Sequence, residues 1–139
     1  MTEKIITVAV VFLTYLLMLA AFARPQRRTF HISTMVVVMC FDLALPIYLY
    51  LFRDFYTRLI EHGDITSFLV WMHFIMVLAL YIMYVFQIQA GRKLLRGDVE
   101  ARIEHRGQGK GILVIRALAL VTGALLVEPD AVSVNVPNQ

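Results

Sequence analysis

The sequence predicts an all-α integral membrane protein, a bundle of four spanning helices with the N-terminus and C-terminus both outside. Three observations lead there. Of 139 residues, 60% are hydrophobic and 17% charged, and the mean hydropathy is +0.73. Soluble domains carry about 25% charged and about 45–50% apolar residues. The apolar residues also gather into four runs, each in the range of about 17–25 residues that crosses a bilayer. Finally, the runs are continuous rather than alternating, and backbone in lipid must satisfy its own hydrogen bonds, so helices are expected. A chain of this length holds a single membrane domain, residues 1–139, with no room for a second soluble one.

The first helix is expected at about 5–23. Ala21-Phe22-Ala23 resembles a signal-peptidase site, but Arg24-Pro25-Gln26-Arg27-Arg28 follows at once. Signal peptides place positive charge before the apolar core, so a retained helix is favoured. The second helix is expected at about 30–52, with Pro46 able to kink it and free the Asp42 carbonyl. The third is expected at about 67–89 and the fourth, the shortest, at about 111–127. Asp54–His62 reads as a short interfacial helix. Arg92–Arg106 reads as an extension of the third helix, ended by a break at Gly107-Gln108-Gly109-Lys110-Gly111. That glycine string lacks the spacing of a phosphate loop and reads as a hinge. Residues 130–139 form a polar tail with poor order expected.

Charge sets the expected topology. The first loop holds Arg24, Arg27 and Arg28, and the third holds Arg92, Lys93, Arg96, Arg102, Arg106 and Lys110. The second loop mixes Arg53 and Arg58 with Asp54, Glu61 and Asp64. Positive loops stay inside, so the first and third are cytoplasmic. The net charge of +3 therefore speaks to topology and not to nucleic acid. The single cysteine, Cys40, excludes an intramolecular disulfide and a cysteine-based metal motif, and reads as a small buried hydrophobe.

Ionisable groups at membrane depth are costly and are functional candidates by default. His31, Met35, Asp42 and Pro46 share one stripe of the second helix. Asp42 reads equally as a functional carboxylate or as a hydrogen-bonding partner of a neighbouring helix. His73 and Tyr84 lie 11 residues apart, close to three turns, on one face of the third helix. For His73 alone, an interhelical hydrogen bond outweighs a ligand role. Arg116 reads first as a side chain snorkelling to the cytoplasmic face, second as a clamp on an anionic group, and His31, Met35, Asp42, His73 and Arg116 are all expected to point into the bundle, with His105 capping its cytoplasmic mouth. Ala119-xxx-Gly123 permits close helix approach. His31 and His105 lie at the cytoplasmic ends of their helices, whereas His73 sits about 25 Å further along the third. The first two could form a bis-imidazole pair that His73 cannot join. Two ligands at one depth suit heme b, and copper, with thioether donors such as Met35 and Met39, is the alternative. Simple interfacial histidines in basic loops are the slightly favoured reading of that pair.

These residues also resemble those of a family, the small four-helix bacterial membrane proteins of domain of unknown function 420. Its pattern is His-x-x-x-Met opening the second helix, a lone His in the third, and His-Arg before a fourth helix containing Thr-Gly. Here the matching positions are His31 with Met35, His73, His105-Arg106 and Thr122-Gly123, spanning Arg27 to Val127. The segment between His73 and His105 is longer than the family pattern, and Asp42 and Arg116 are not among its hallmarks. The resemblance implies a role in the biogenesis of heme-copper terminal oxidases, with His31, His73 and His105 as the functional set.

The expected function is thus a respiratory-chain-associated, non-catalytic inner-membrane protein. It would assist heme-copper oxidase assembly, with His31, His73 and His105 contacting heme or copper. Met35, Asp42, Tyr84 and Arg116 would stand behind them. Its expected partners are the lipid bilayer and terminal oxidase subunits or another respiratory membrane protein. A b-type cytochrome with bis-histidine heme and a cofactor-free structural subunit are the alternatives. No hydrolase motif is present, and few polar residues are available to line a transport path.

Overall fold

The computed structural model describes residues 2–52 and 67–126. These form four helices: α1 (Thr2–Ala23), α2 (Arg28–Phe52), α3 (Phe68–Leu95) and α4 (Ala101–Leu125). All four are long and apolar enough to cross a membrane, compatible with a multi-pass membrane protein. Large apolar side chains such as Leu13, Ile47, Phe74 and Val121 face outward, an arrangement that suits lipid rather than water. The expected Asp54–His62 helix, His62 itself and the polar tail lie outside the described residues.

Two tight turns make one end of the bundle. Helix α1 stops just before Pro25, since the residue preceding a proline disfavours the helical region. Helix α3 stops at Gly97, whose φ of +95° suits a residue without Cβ. The Gly97 N–H donates to the Leu94 carbonyl at 3.1 Å and the Asp98 N–H to the Lys93 carbonyl at 3.1 Å. This is the paired pattern that closes a helix with a left-handed glycine. The Asp98 carboxylate then accepts from the N–H groups of Glu100 (3.1 Å) and Ala101 (3.3 Å), satisfying orphan donors at the start of α4.

Three expectations are corrected here. Arg92–Arg106 does not prolong α3, because Gly97-Asp98 ends one helix and starts the next. Gly107–Gly111 is not a break, for it lies inside α4. Glycine costs about 1 kcal/mol per helical position relative to alanine. Close packing offsets that cost: a Cβ at Gly109 would lie 3.1 Å from Phe22 Cε2, and one at Gly111 3.2 Å from Met83 Cε. The glycines let α4 approach both α1 and α3. Cys40 is also corrected, from buried to exposed. It sits two residues from Asp42, on the opposite face of α2.

The helices run up, down, up and down, so α2 and α4 point the same way. Helix α4 packs most extensively on α3 and also touches α1, and α1 touches α2. The core comprises Met18, Val38, Met39, Leu80, Tyr84 and Ile112, with Met35 packed against it.

The glycine contacts give a test. Gly109→Leu is expected to lower stability by about 1–3 kcal/mol through overpacking. Gly107→Ala, at a position with open space around it, is expected to raise stability by up to about 1 kcal/mol. Thermal unfolding in detergent checks both, and a flexible hinge would tolerate both changes equally.

Candidate functional site

Near mid-length of the bundle, four helices converge on one charge pair. The Arg116 guanidinium grips the Asp42 carboxylate through two bonds, Nε to Oδ2 at 2.8 Å and Nη2 to Oδ1 at 2.7 Å. Both are buried, at 2% and 9% exposure. Nη2 also donates to Thr14 Oγ1 at 2.9 Å, and the Thr14 hydroxyl donates to the Val11 carbonyl. The Tyr84 hydroxyl donates to Asp42 Oδ2. Three donors thus converge on one carboxylate, which suits its ionised, acceptor-only form. Bidentate, charge-assisted geometry of this kind is the strong form of the interaction.

Pro46 contributes through what it lacks. It has no N–H, so the Asp42 carbonyl four residues earlier loses its helical donor. The Tyr81 hydroxyl supplies the replacement at 2.9 Å. Tyr81 and Tyr84 from α3 therefore hold both the backbone and the side chain of Asp42.

Arg116 does not snorkel. Since α4 begins at Ala101, Arg116 lies about 22 Å along the helix from its start, at 1.5 Å per residue. Its side chain cannot span that distance and turns inward to Asp42 instead. Its Nη1 is buried and has no hydrogen-bond partner among the described residues.

His31 and His105 meet at the end of the bundle that bears the two tight turns. Their ring centroids are 6.2 Å apart, in an edge-on arrangement. His31 Nδ1 lies 2.9 Å from the Ala21 carbonyl at the end of α1. A carbonyl only accepts, so Nδ1 carries the proton and Nε2 holds a lone pair. His105 Nε2 lies 3.3 Å from Gln87 Nε2, while His105 Nδ1 and Gln87 Oε1 are buried without partners.

The charge pair and the histidine pair share one register. His31 precedes Asp42 by 11 residues, and His105 precedes Arg116 by 11. Eleven residues are close to three helical turns, about 16 Å, and return to the same face. Because α2 and α4 are parallel, pairing Asp42 with Arg116 brings His31 level with His105.

His73 stands apart. Its Nδ1 lies 2.9 Å from Thr122 Oγ1, and the Thr122 hydroxyl is within reach of the Leu118 and Ala119 carbonyls. Its ring packs on Gly123, where a Cβ would come within 3.0 Å of His73 Cε1. It faces α4 rather than lipid and joins neither pair. Of the expected residues, Asp42, Tyr84 and Arg116 form one group and His31 with His105 another, while Met35 lies in the core packing. Thr14, Tyr81 and Gln87 were not anticipated. Tyr81, Tyr84 and Gln87 recur every three residues in an apolar run, which marks one polar face of α3.

At the same end of the bundle, Phe22 of α1 packs on Gly109 of α4. No group of three or more His, Cys, Asp or Glu among the described residues could hold a metal, so the four-ligand cage of structural zinc is not built here. Comparison with protein-family models, curated proteins and solved structures finds no match to this chain. Fold and site together define a class: a four-helix bundle of membrane-grade apolar helices, locked by a buried ion pair and carrying two imidazoles at one end.

Asp42→Leu and Arg116→Met are each expected to destabilise the bundle by about 3–5 kcal/mol, since each leaves one buried charge uncompensated. The double variant is expected to regain a large part of that loss. Denaturant titration of the four proteins of the cycle measures it.

Proposed function

We propose that this chain is a multi-pass inner-membrane protein, with both termini outside, that serves heme-copper oxidase maturation as a non-catalytic factor. In this reading His31 and His105 contact the oxidase's metal or heme iron at the cytoplasmic ends of α2 and α4. The observation that supports it is the meeting of two imidazoles from distant parts of the chain. Their order along the chain also follows the family pattern that the sequence resembles.

The chemistry asked of the chain is binding and release. His31 is oriented by its bond to the Ala21 carbonyl, the kind of outer partner that fixes the tautomer of a ligating imidazole. The half-buried position of both rings leaves them reachable from the bundle end. The buried ion pair holds α2 and α4 in register beneath them. His73, tied to Thr122 and seated on Gly123, serves helix packing. The flanking arginines and the loop charge distribution support the cytoplasmic placement of this end. The closed packing around the rings favours transient contact over a permanently seated b-type heme.

Deleting the gene in its host is expected to lower terminal oxidase activity. Wild type is expected to restore it, and His31→Ala and His105→Ala, present at normal abundance, are expected not to. Full restoration by both variants would remove the oxidase role from this pair and leave a cofactor-free structural subunit as the better reading.

A further inference from the structure

We infer that the seam between α1 and α4 seats an anionic phospholipid, its phosphate held by Arg106 and Lys110 and one acyl chain running to the apolar groove at the far end of the seam. The inference rests on the reading of the bundle as membrane-spanning, and not on any role in oxidase maturation.

Three contacts trace the seam. Phe22 packs on Gly109, where a Cβ would lie 3.1 Å from its ring. Thr14 Oγ1 accepts from Arg116 Nη2 at 2.9 Å. Beyond them, Ile5, Ala9 and Phe12 of α1 line an open apolar groove of about 510 Å³ with Leu120, Val121 and Ala124 of α4. Residue numbers fall along α1 as they rise along α4, so the two helices run antiparallel from one end of the bundle to the other.

The histidine end of the seam carries a basic ladder. Arg102, Arg106 and Lys110 recur every four residues and are all exposed. Like charges at that spacing repel and weaken a helix. The Phe22–Gly109 contact also sets Arg24, again exposed, level with Arg106. Among the described residues none of these four cations pairs with a carboxylate, and Glu104, between Arg102 and Arg106 in sequence, is engaged by Lys93 and Gln108. Basic clusters at the ends of spanning helices are complementary to anionic headgroups.

Ladder and groove share one face of α4. Ala124 follows Arg106 by 18 residues, five full turns, and Val121 follows Lys110 by 11, close to three turns. Along the helix axis the groove begins about 15 Å beyond Lys110, at Leu120, and reaches about 21 Å, at Ala124. Half the hydrocarbon core of a bilayer is about 15 Å. A lipid with its phosphate at the level of Lys110 therefore brings the end of its chain to the groove. A second copy docked in the same orientation along this seam would set ladder against ladder, which repels. Inorganic phosphate would meet the ladder and leave the groove open.

The test is electron spin resonance of the full chain in phosphatidylcholine vesicles, with phosphatidylglycerol or phosphatidylcholine spin-labelled near the chain end as the probe. The immobilised fraction gives the relative affinity for the two lipids. A preference of about ten-fold or more for phosphatidylglycerol is expected, and Arg106→Gln and Lys110→Gln are each expected to cut it about five-fold, the worth of one cation near the surface. Arg92→Gln, at the same end but on α3, is expected to leave it unchanged. Ala124→Phe fills the groove with every charge in place and is expected to lower it as well. Circular dichroism confirms folding of each variant. Equal affinity of the wild type for the two lipids overturns the inference. So does an equal loss in Arg92→Gln and Arg106→Gln, which marks a diffuse positive surface, or an undiminished preference in Ala124→Phe, which leaves a phosphate site alone. Cross-linked wild-type dimers that Ala124→Phe abolishes overturn it in favour of a second copy. The readout needs no oxidase, so lipid preference lost in a variant that restores full oxidase activity upholds the lipid seat.

Discussion

The ion pair between Asp42 and Arg116 is the constraint on which the rest of the bundle depends. Two charges withdrawn from water cost several kcal/mol each even after relaxation. That cost is offset only where every lone pair finds a donor, and four helices bend their sequence to supply them. Helix α1 supplies Thr14, α2 the carboxylate, α3 Tyr84 and α4 the guanidinium. Sliding any helix by one turn would move its partner about 5.4 Å and strand a buried charge. Apolar helices in a bilayer have little hydrophobic preference for one register over another. The polar cluster supplies that preference.

Register passes along the helices to the ends. The 11-residue offset repeats on α2 and α4, so what the charge pair fixes at mid-bundle is reproduced at His31 and His105. Helix α3 is fixed twice, by its tyrosines on Asp42 and by the His73–Thr122 contact on α4. Small residues make this possible: Gly109 accepts Phe22, and Gly123 accepts the His73 ring. Tyr81 repairs the backbone acceptor that Pro46 leaves open, so the proline sits in α2 without an unsatisfied carbonyl beneath it.

Much of this was legible in the residues, and what was missed has physical reasons. Four apolar runs announced four helices because length and hydropathy act locally. The level placement of His31 and His105 at one end of the bundle, and their separation from His73, followed from helical rise alone. Asp42 as an inward group, with Tyr84 behind it, followed from the cost of charge at depth. Arg116 points inward as expected, and the competing snorkelling reading depends on a helix break at Gly107–Gly111 that would put the arginine near the end. Tertiary packing overrode glycine's local preference there. The better signal lay at Gly97-Asp98, where a left-handed stop is followed at once by a capping carboxylate. Thr14 carries no such signal, since a lone threonine bonding a carbonyl of its own helix is unremarkable in an apolar run, whereas Tyr81 and Gln87 share the recurrence that marks the polar face of α3.

A remote charge pair thus sets two imidazoles level with each other at one end of this small bundle, without a loop scaffold. Solid-state NMR on the protein in lipid bilayers tests the underlying claim most directly, through the dipolar coupling between 13C-labelled aspartate carboxyl groups and 15N-labelled arginine. The geometry predicts one rigid carboxylate–guanidinium contact, with two nitrogens within 2.7–2.8 Å of the carboxylate oxygens, that disappears in Asp42→Asn. A mobile Arg116 signal with no carboxylate contact would contradict it.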